Sequence, residues 1–328
     1  MGLLRQGLLA LGLVAAMVTG AYAHGYYNSS EPGCDGSDPN VLVCDDFETG
    51  GWYGKDCDQA RASGGILSQT KGWCGTIYAN PTTPAGAVDC NNAGANGSRC
   101  AATSGQLTGR TGGRNMADHS FPGNEEVQDI YVRYYRKNSA GFVYSGQKVL
   151  TFNRCCAGSG GIFWAGLGFN IGQGSVSAGA PNIGITNNLG GDSILWQNRG
   201  GGSMKSGNWH YFEVHLKLNT PGSSNGVFEL WFNDCGSAGT SCGSAPILRA
   251  RYANINWGKT ASNGGIGSIW LENWANNGEG RGSLGQEWYD DVKIAKVGPI
   301  GLRASTGGSG GAPVTGPAPS PPTHVILH

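Results

Sequence analysis

Glycine takes 59 of the 328 positions and shows no triplet period. A glycine inside a helix costs roughly 1 kcal/mol relative to alanine, so this density works against helices along most of the chain. No segment sustains a 3.6-residue apolar period. What recurs is alternation with period two, the mark of strands with one buried face. In Trp209–Leu218, Phe212, Val214, Leu216 and Leu218 fall on one side, and Tyr211, Glu213, His215 and Lys217 on the other. In Val227–Asn233, Phe228, Leu230 and Phe232 alternate with Glu229, Trp231 and Asn233. The turn-forming NTPGSSNG between them makes the two an antiparallel hairpin. With His215 opposite Glu229, Glu213 falls opposite Trp231. Ile130–Lys137, Ser268–Trp274 and Glu287–Val297 alternate in the same way. Many short antiparallel strands, each with an apolar and a polar-aromatic side, predict an all-β, two-sheet sandwich.

The first 23 residues have the form of a secretory signal peptide. Arg5 precedes an apolar run, Leu8–Val18, and Ala21-Tyr22-Ala23 offers a cleavage site. That run is too short for a bilayer, which takes about 20 residues. Ten cysteines behind such a leader imply a disulfide framework and a secreted protein, extracellular or periplasmic. Cys34–Cys44, Cys57–Cys74, Cys90–Cys100 and Cys235–Cys242 are the expected local pairs. Cys155 and Cys156 pair with each other or with distant partners. Residues 24–43 read as a polar N-terminal extension, 44–302 as the sandwich, and 303–328 as a Gly/Pro-rich tail. Net charge is zero and 13% of residues are charged, which argues against nucleic acid or an anionic membrane as partner. The chain is expected to be a monomer.

Three stretches resemble the concanavalin A-like lectin/glucanase superfamily: CDDFETGGW (44–52), the hairpin 208–234, and EWYDDVKIAKVGPIG (287–301). The resemblance implies a jelly-roll fold and a carbohydrate ligand. YVRYYRK followed by GQKVLTF is most similar to heparin-lyase-like polysaccharide lyases. The E-x-D-x-x-E strand of one glucanase family in the superfamily is absent. Gln147-Lys148-Val149 stands where jelly-roll alginate lyases have Q-[IV]-H, with the histidine unmatched.

Indole faces stack on pyranose rings, which makes Trp164, Trp231, Trp270 and Trp274, with Glu272, the candidate sugar contacts. A lyase must neutralise a uronate, remove its C5 proton and protonate the leaving oxygen. Arg133 and Gln147 suit the first task, and Tyr135, Lys148 or His215 the others. A hydrolase would use a carboxyl pair, for which Glu213 and Glu229 are available. Parity places Arg133, Glu213, His215, Glu229 and the Trp270–Trp274 stripe on outward faces, and one shared groove is expected. Asp46, Glu48 and Asp291 are hard oxygen ligands where the terminal strands meet, and with the resemblance they imply structural calcium. A mature N-terminal His24 has a copper-binding alternative that the rest of the chain does not support. The expected function is polysaccharide binding with cleavage by β-elimination. The alternatives are a non-catalytic lectin or binding module, or a structural surface protein.

Overall fold

The computed structural model describes residues 26–48, 53–56, 73–77, 86–89, 99–106, 114–121, 125–140, 147–153, 165–169, 183–186, 194–196, 204–239, 242–260, 264–275 and 283–303. Every regular element among them is a strand. The first sheet contains β1 (Tyr26–Asn28), β2 (Val41–Asp45), β5 (Gly86–Asp89), β6 (Arg99–Gln106), β8 (Asp129–Asn138), β13 (Trp209–Lys217), β14 (Gly226–Asp234), β15 (Leu248–Ile255) and β17 (Ser283–Ala295). Its main order is β1-β2-β17-β8-β13-β14-β15, with β6 on the early part of β17 and β5 on β6. The second sheet contains β3 (Tyr53–Asp56), β4 (Trp73–Ile77), β7 (Arg114–Ser120), β9 (Gln147–Asn153), β10 (Ala165–Phe169), β11 (Ile183–Thr186), β12 (Ile194–Trp196) and β16 (Ser268–Ala275). Its order is β12-β11-β10-β9-β16-β7-β4-β3. Pairing is antiparallel apart from β1–β2 and β3–β4.

The expected two-sheet antiparallel sandwich is the observed one, and its core follows the predicted alternation. Val132, Phe212, Val214, Leu230 and Ile294 of the first sheet pack with Leu150, Phe152, Ile269 and Leu271 of the second. The hairpin register is the one parity suggests: His215 pairs with Glu229, and Glu213 with Trp231. Two of the expected disulfides, Cys34–Cys44 and Cys235–Cys242, are formed. Cys57–Cys74, Cys90–Cys100 and the Cys155-Cys156 doublet involve residues outside those described.

The described part of the N-terminal extension runs against the first sheet. β1 joins the first sheet, and Tyr27 donates its hydroxyl to the Val41 carbonyl at 2.9 Å. The chain after β17 also returns to that sheet. Gly298 lies so close to Tyr131 that a Cβ there would meet the ring at 2.5 Å, and Gly301 takes φ +81°, a left-handed turn that glycine permits. Residues 298–303 therefore run as a strap over the outer face.

Candidate functional site

The outward residues of the first sheet are together, as parity demands, but they are covered. Arg133 is 1% exposed and Glu213 is 0% exposed. The Arg133 guanidinium grips both carboxylate oxygens of Glu31, one of them at 2.8 Å, and Lys293 reaches the same carboxylate at 3.5 Å. Burial alone would raise the Glu31 carboxyl, but the charge and hydrogen bonds of Arg133, then Lys293 and Arg303, hold it at about 2. Glu213 accepts the strap amides of Ile300 (2.6 Å) and Gly301 (2.9 Å), and also the Tyr211 hydroxyl. The Tyr135 hydroxyl accepts the Arg303 amide at 3.2 Å. Arg133, Glu213 and Tyr135 are therefore fastenings for the terminal segments.

The aromatics on this face are fastened too. Tyr135, Trp209, Tyr211 and Cys235 form a small apolar cluster, against which Trp231, Cys242, Trp288 and Leu302 pack. Trp231 packs against this cluster and is only partly buried. Lys137 sits 5.8 Å from the Trp209 ring and 6.0 Å from the Trp288 ring.

His215 lies further along the face, stacked on Tyr131 with centroids 4.1 Å apart. Its Nδ1 is 2.6 Å from Glu229 and its Nε2 is 2.7 Å from Asp129. Burial disfavours the imidazolium, yet the hydrogen bonds to Asp129 and Glu229 outweigh burial and raise the pKa. Both ring nitrogens are thus taken up by carboxylates. Glu229 also holds Arg251 at 3.0 Å. Burial and the carboxylates of Asp129 and Glu229 push the Tyr131 phenol up to about 12, so it stays protonated. This is a bridge across β8, β13 and β14, not an acid–base pair.

Asp46 and Asp291 do meet, as expected for a pair at the terminal strands. The positive group between them is Arg303, on Asp291 and, at 3.4 Å, on Asp46. Asp46 also accepts the amides of Ser30 and Glu48. The donor set therefore does not fit calcium as it stands, because the ion would have to displace a guanidinium. Among the described residues, no group of three or more His, Cys, Asp or Glu is placed to hold a metal ion. His24 and its copper reading lie outside the described residues.

The single shared groove is overturned by topology: β16, with Trp270, Glu272 and Trp274, belongs to the second sheet, and Arg133, Glu213, His215 and Glu229 belong to the first. Gln147 and Lys148 are on β9, beside β16. Trp164 lies outside the described residues. In the second sheet Trp270 pairs with Thr151 and with Asp118, and Glu272 with Met116. These positions alternate with the core row Leu150–Leu271.

A bulge then rearranges the rows. Between its pairings with Leu150 and Lys148, β10 advances only from Leu167 to Gly168, while β16 advances from Leu271 to Trp274. The mismatch reverses parity, as one extra residue in a strand must. Lys148, two residues from Leu150, consequently falls in register with Gly168, Trp274 and, through Trp274, Arg114. Gln147 falls in register with Phe169 and Ala275 instead. The next position in the Lys148 row is Gly184, and the Thr151 row continues through Gly166. Register in the second sheet thus aligns charged and tryptophan positions on β7, β9 and β16 with glycine positions on β10 and β11. Arg114 and Asp118 were missed from sequence, although Arg114, Met116 and Asp118 alternate within one strand.

No family model matches the chain, and no curated protein matches it. Solved structures similar to it include an endo-β-1,4-glucuronan lyase from the fungus Trichoderma reesei, at 17% identity and TM-score 0.42, covering 68% of this chain and 87% of that one. An alginate lyase from Aplysia kurodai is similar at 11% identity and TM-score 0.43, covering 61% and 84%. A β-glucanase catalytic domain from Podospora anserina is similar at 9% identity and TM-score 0.39, covering 71% and 86%.

Proposed function

We propose that this chain is a secreted, carbohydrate-active protein that binds an acidic polysaccharide on the outer face of the second sheet and cleaves it by β-elimination. The observation that carries this reading is the β9 bulge, which puts Lys148 in one row with Arg114, Trp274 and Gly168. Bulges beside strand registers commonly re-aim a side chain at an active site. Tryptophans supply faces for sugar rings, and glycine positions leave room for a chain to lie close to the backbone. The first sheet supports the reading by contrast, since its Arg133 and Glu213 are engaged by Glu31 and the strap.

In this scheme Arg114 neutralises the uronate carboxylate, which makes the C5 proton acidic enough to remove. Lys148, as free amine, takes that proton. The electron pair forms the C4–C5 double bond, the C4–O4 bond breaks, and the Lys148 ammonium gives the departing oxygen its proton. Two assays run in parallel on glucuronan, alginate and a neutral β-glucan test it: ultraviolet absorbance of unsaturated product and release of reducing ends. Absorbance should rise with the acidic polymers and vanish in Lys148→Ala. Reducing ends without absorbance would replace elimination with hydrolysis. Binding without either product would leave a lectin.

A further inference from the structure

We infer that the N-terminal hook, residues 29–35, and the C-terminal strap, residues 298–303, form one cooperative closure that opens as a unit while the sandwich beneath stays folded.

The two segments share an apolar cluster and their fastenings. Ile300 of the strap packs on the cluster of Cys34, Val41, Cys44 and Ala295, which includes the hook's disulfide. Arg133 holds Glu31 of the hook and also approaches the Gly301 carbonyl of the strap at 3.5 Å. Lys293 holds Glu31 and the Pro32 carbonyl. Arg303 of the strap reaches Asp46, whose Oδ2 also accepts the Ser30 amide of the hook.

Opening one segment alone strands a charge under the other. If the hook lifts, Arg133 loses its carboxylate while Gly301 still covers it. If the strap lifts, Glu213 loses two amides, and Asp46 and Asp291 lose Arg303 beside a hook still in place. A buried charge left without its partner is strongly unfavourable, so the low-energy opening releases both segments together. The apolar core joining the sheets lies on the other side of the first sheet and includes no residue of the hook or strap. Local openings of this kind, well below the free energy of global unfolding, are common in proteins. Here the opening would uncover Tyr135, Tyr211 and Trp231.

Native-state hydrogen exchange on the full chain tests the inference. The amides of Cys34, Ile300, Gly301 and Arg303 report the closure, through their bonds to the Glu31 carbonyl, Glu213 and Tyr135. The amide of Val214 reports the sandwich. The four closure amides should converge on one denaturant dependence, with weaker protection than Val214. Glu31→Gln should accelerate exchange at Ile300 and Gly301 at least tenfold, although Glu31 bonds neither amide, and keep both less protected than Val214. Arg303→Gln should do the reciprocal at Cys34. The inference is overturned if strap amides exchange independently of Cys34, if closure amides and Val214 exchange together, or if Glu31→Gln leaves the strap unchanged. A Glu31→Gln chain that cannot fold would also overturn it, because the sandwich would then depend on the closure.

Discussion

On the outer face of the first sheet, Arg133, Glu213, Tyr135 and Tyr211 lie under two terminal segments, and the hydrogen-bonding groups they turn outward meet protein. On the second sheet, a row of the same residue types, Arg114, Trp274 and Lys148, continues into glycine positions on β10 and β11. Alternation sets the first row, and a bulge sets the register of the second. The difference is what the chain does after the strands are made: it returns to the first sheet from both ends. A charged outward row is evidence for a site only where no other segment has claimed it.

The sharpest way to break this contrast is to truncate one charge from each face. Arg133→Ala leaves Glu31 buried with only the weaker charges of Lys293 and Arg303 and should cost about 3–5 kcal/mol in urea unfolding. Lys148→Ala should change stability by no more than about 0.5 kcal/mol and remove activity instead. Equal destabilisation by the two would erase the distinction.

Acid should act on the covered face next. Glu31 titrates at about 2 in the folded chain against 4.5 when unperturbed. A carboxyl whose folded value is lower stabilises the fold fully above its unfolded value and progressively less as pH falls through the folded one. The loss, up to about 3 kcal/mol, should fall between about pH 4.5 and pH 2. Glu31→Gln should flatten that limb in denaturation curves at stepped pH. An unchanged limb would move the acid sensitivity elsewhere.

Two tryptophans separate the faces at smaller scale. Trp270→Ala should weaken polysaccharide binding by about 2 kcal/mol, roughly thirtyfold in Kd, the scale of an aromatic anchor at a contact hot spot. Trp231→Ala should leave Kd alone and lower the melting temperature. Titration calorimetry with both proteins would show a reversal if the sugar lies on the first sheet after all.

The His215 bridge should matter less, because Asp129 is 40% exposed and solvent screens it. A raised imidazole pKa means its contribution is complete below about pH 6.5 and is lost as pH rises through the folded value. His215→Gln should cost no more than about 1 kcal/mol at pH 6 and less at pH 9. A larger cost at pH 9 would contradict an imidazolium bridge. The smallest expected effect is that of EGTA. With Arg303 on Asp46 and Asp291, chelation should leave the melting temperature unchanged, and a fall reversed by calcium would restore the metal reading.

Much of the architecture was legible because strand alternation is local. The apolar positions of 209–218 and 227–233 name the core and the hairpin partners, and a tight turn leaves little freedom of register. Cysteine spacing named Cys34–Cys44 and Cys235–Cys242 for the same reason. The shared groove was not legible, since parity says only that a residue is off the core, and a sandwich has two such sides. Nor was Lys148's row, because the bulge that sets it appears only when β9 is aligned with β10 and β16.

By itself, then, the sequence determined strands, their buried sides and the nearest pairings, all consequences of chain geometry within a few residues. Tertiary structure decided which sheet each strand joined, and that Glu31, Arg303 and two backbone amides would cover Arg133 and Glu213. Those contacts join residues 102 and 87 positions apart in the Arg133–Glu31 and Glu213–Ile300 cases. No local pattern encodes a meeting at such separation. It follows from the cost of leaving buried charges unpaired, which is settled only once the whole chain has closed.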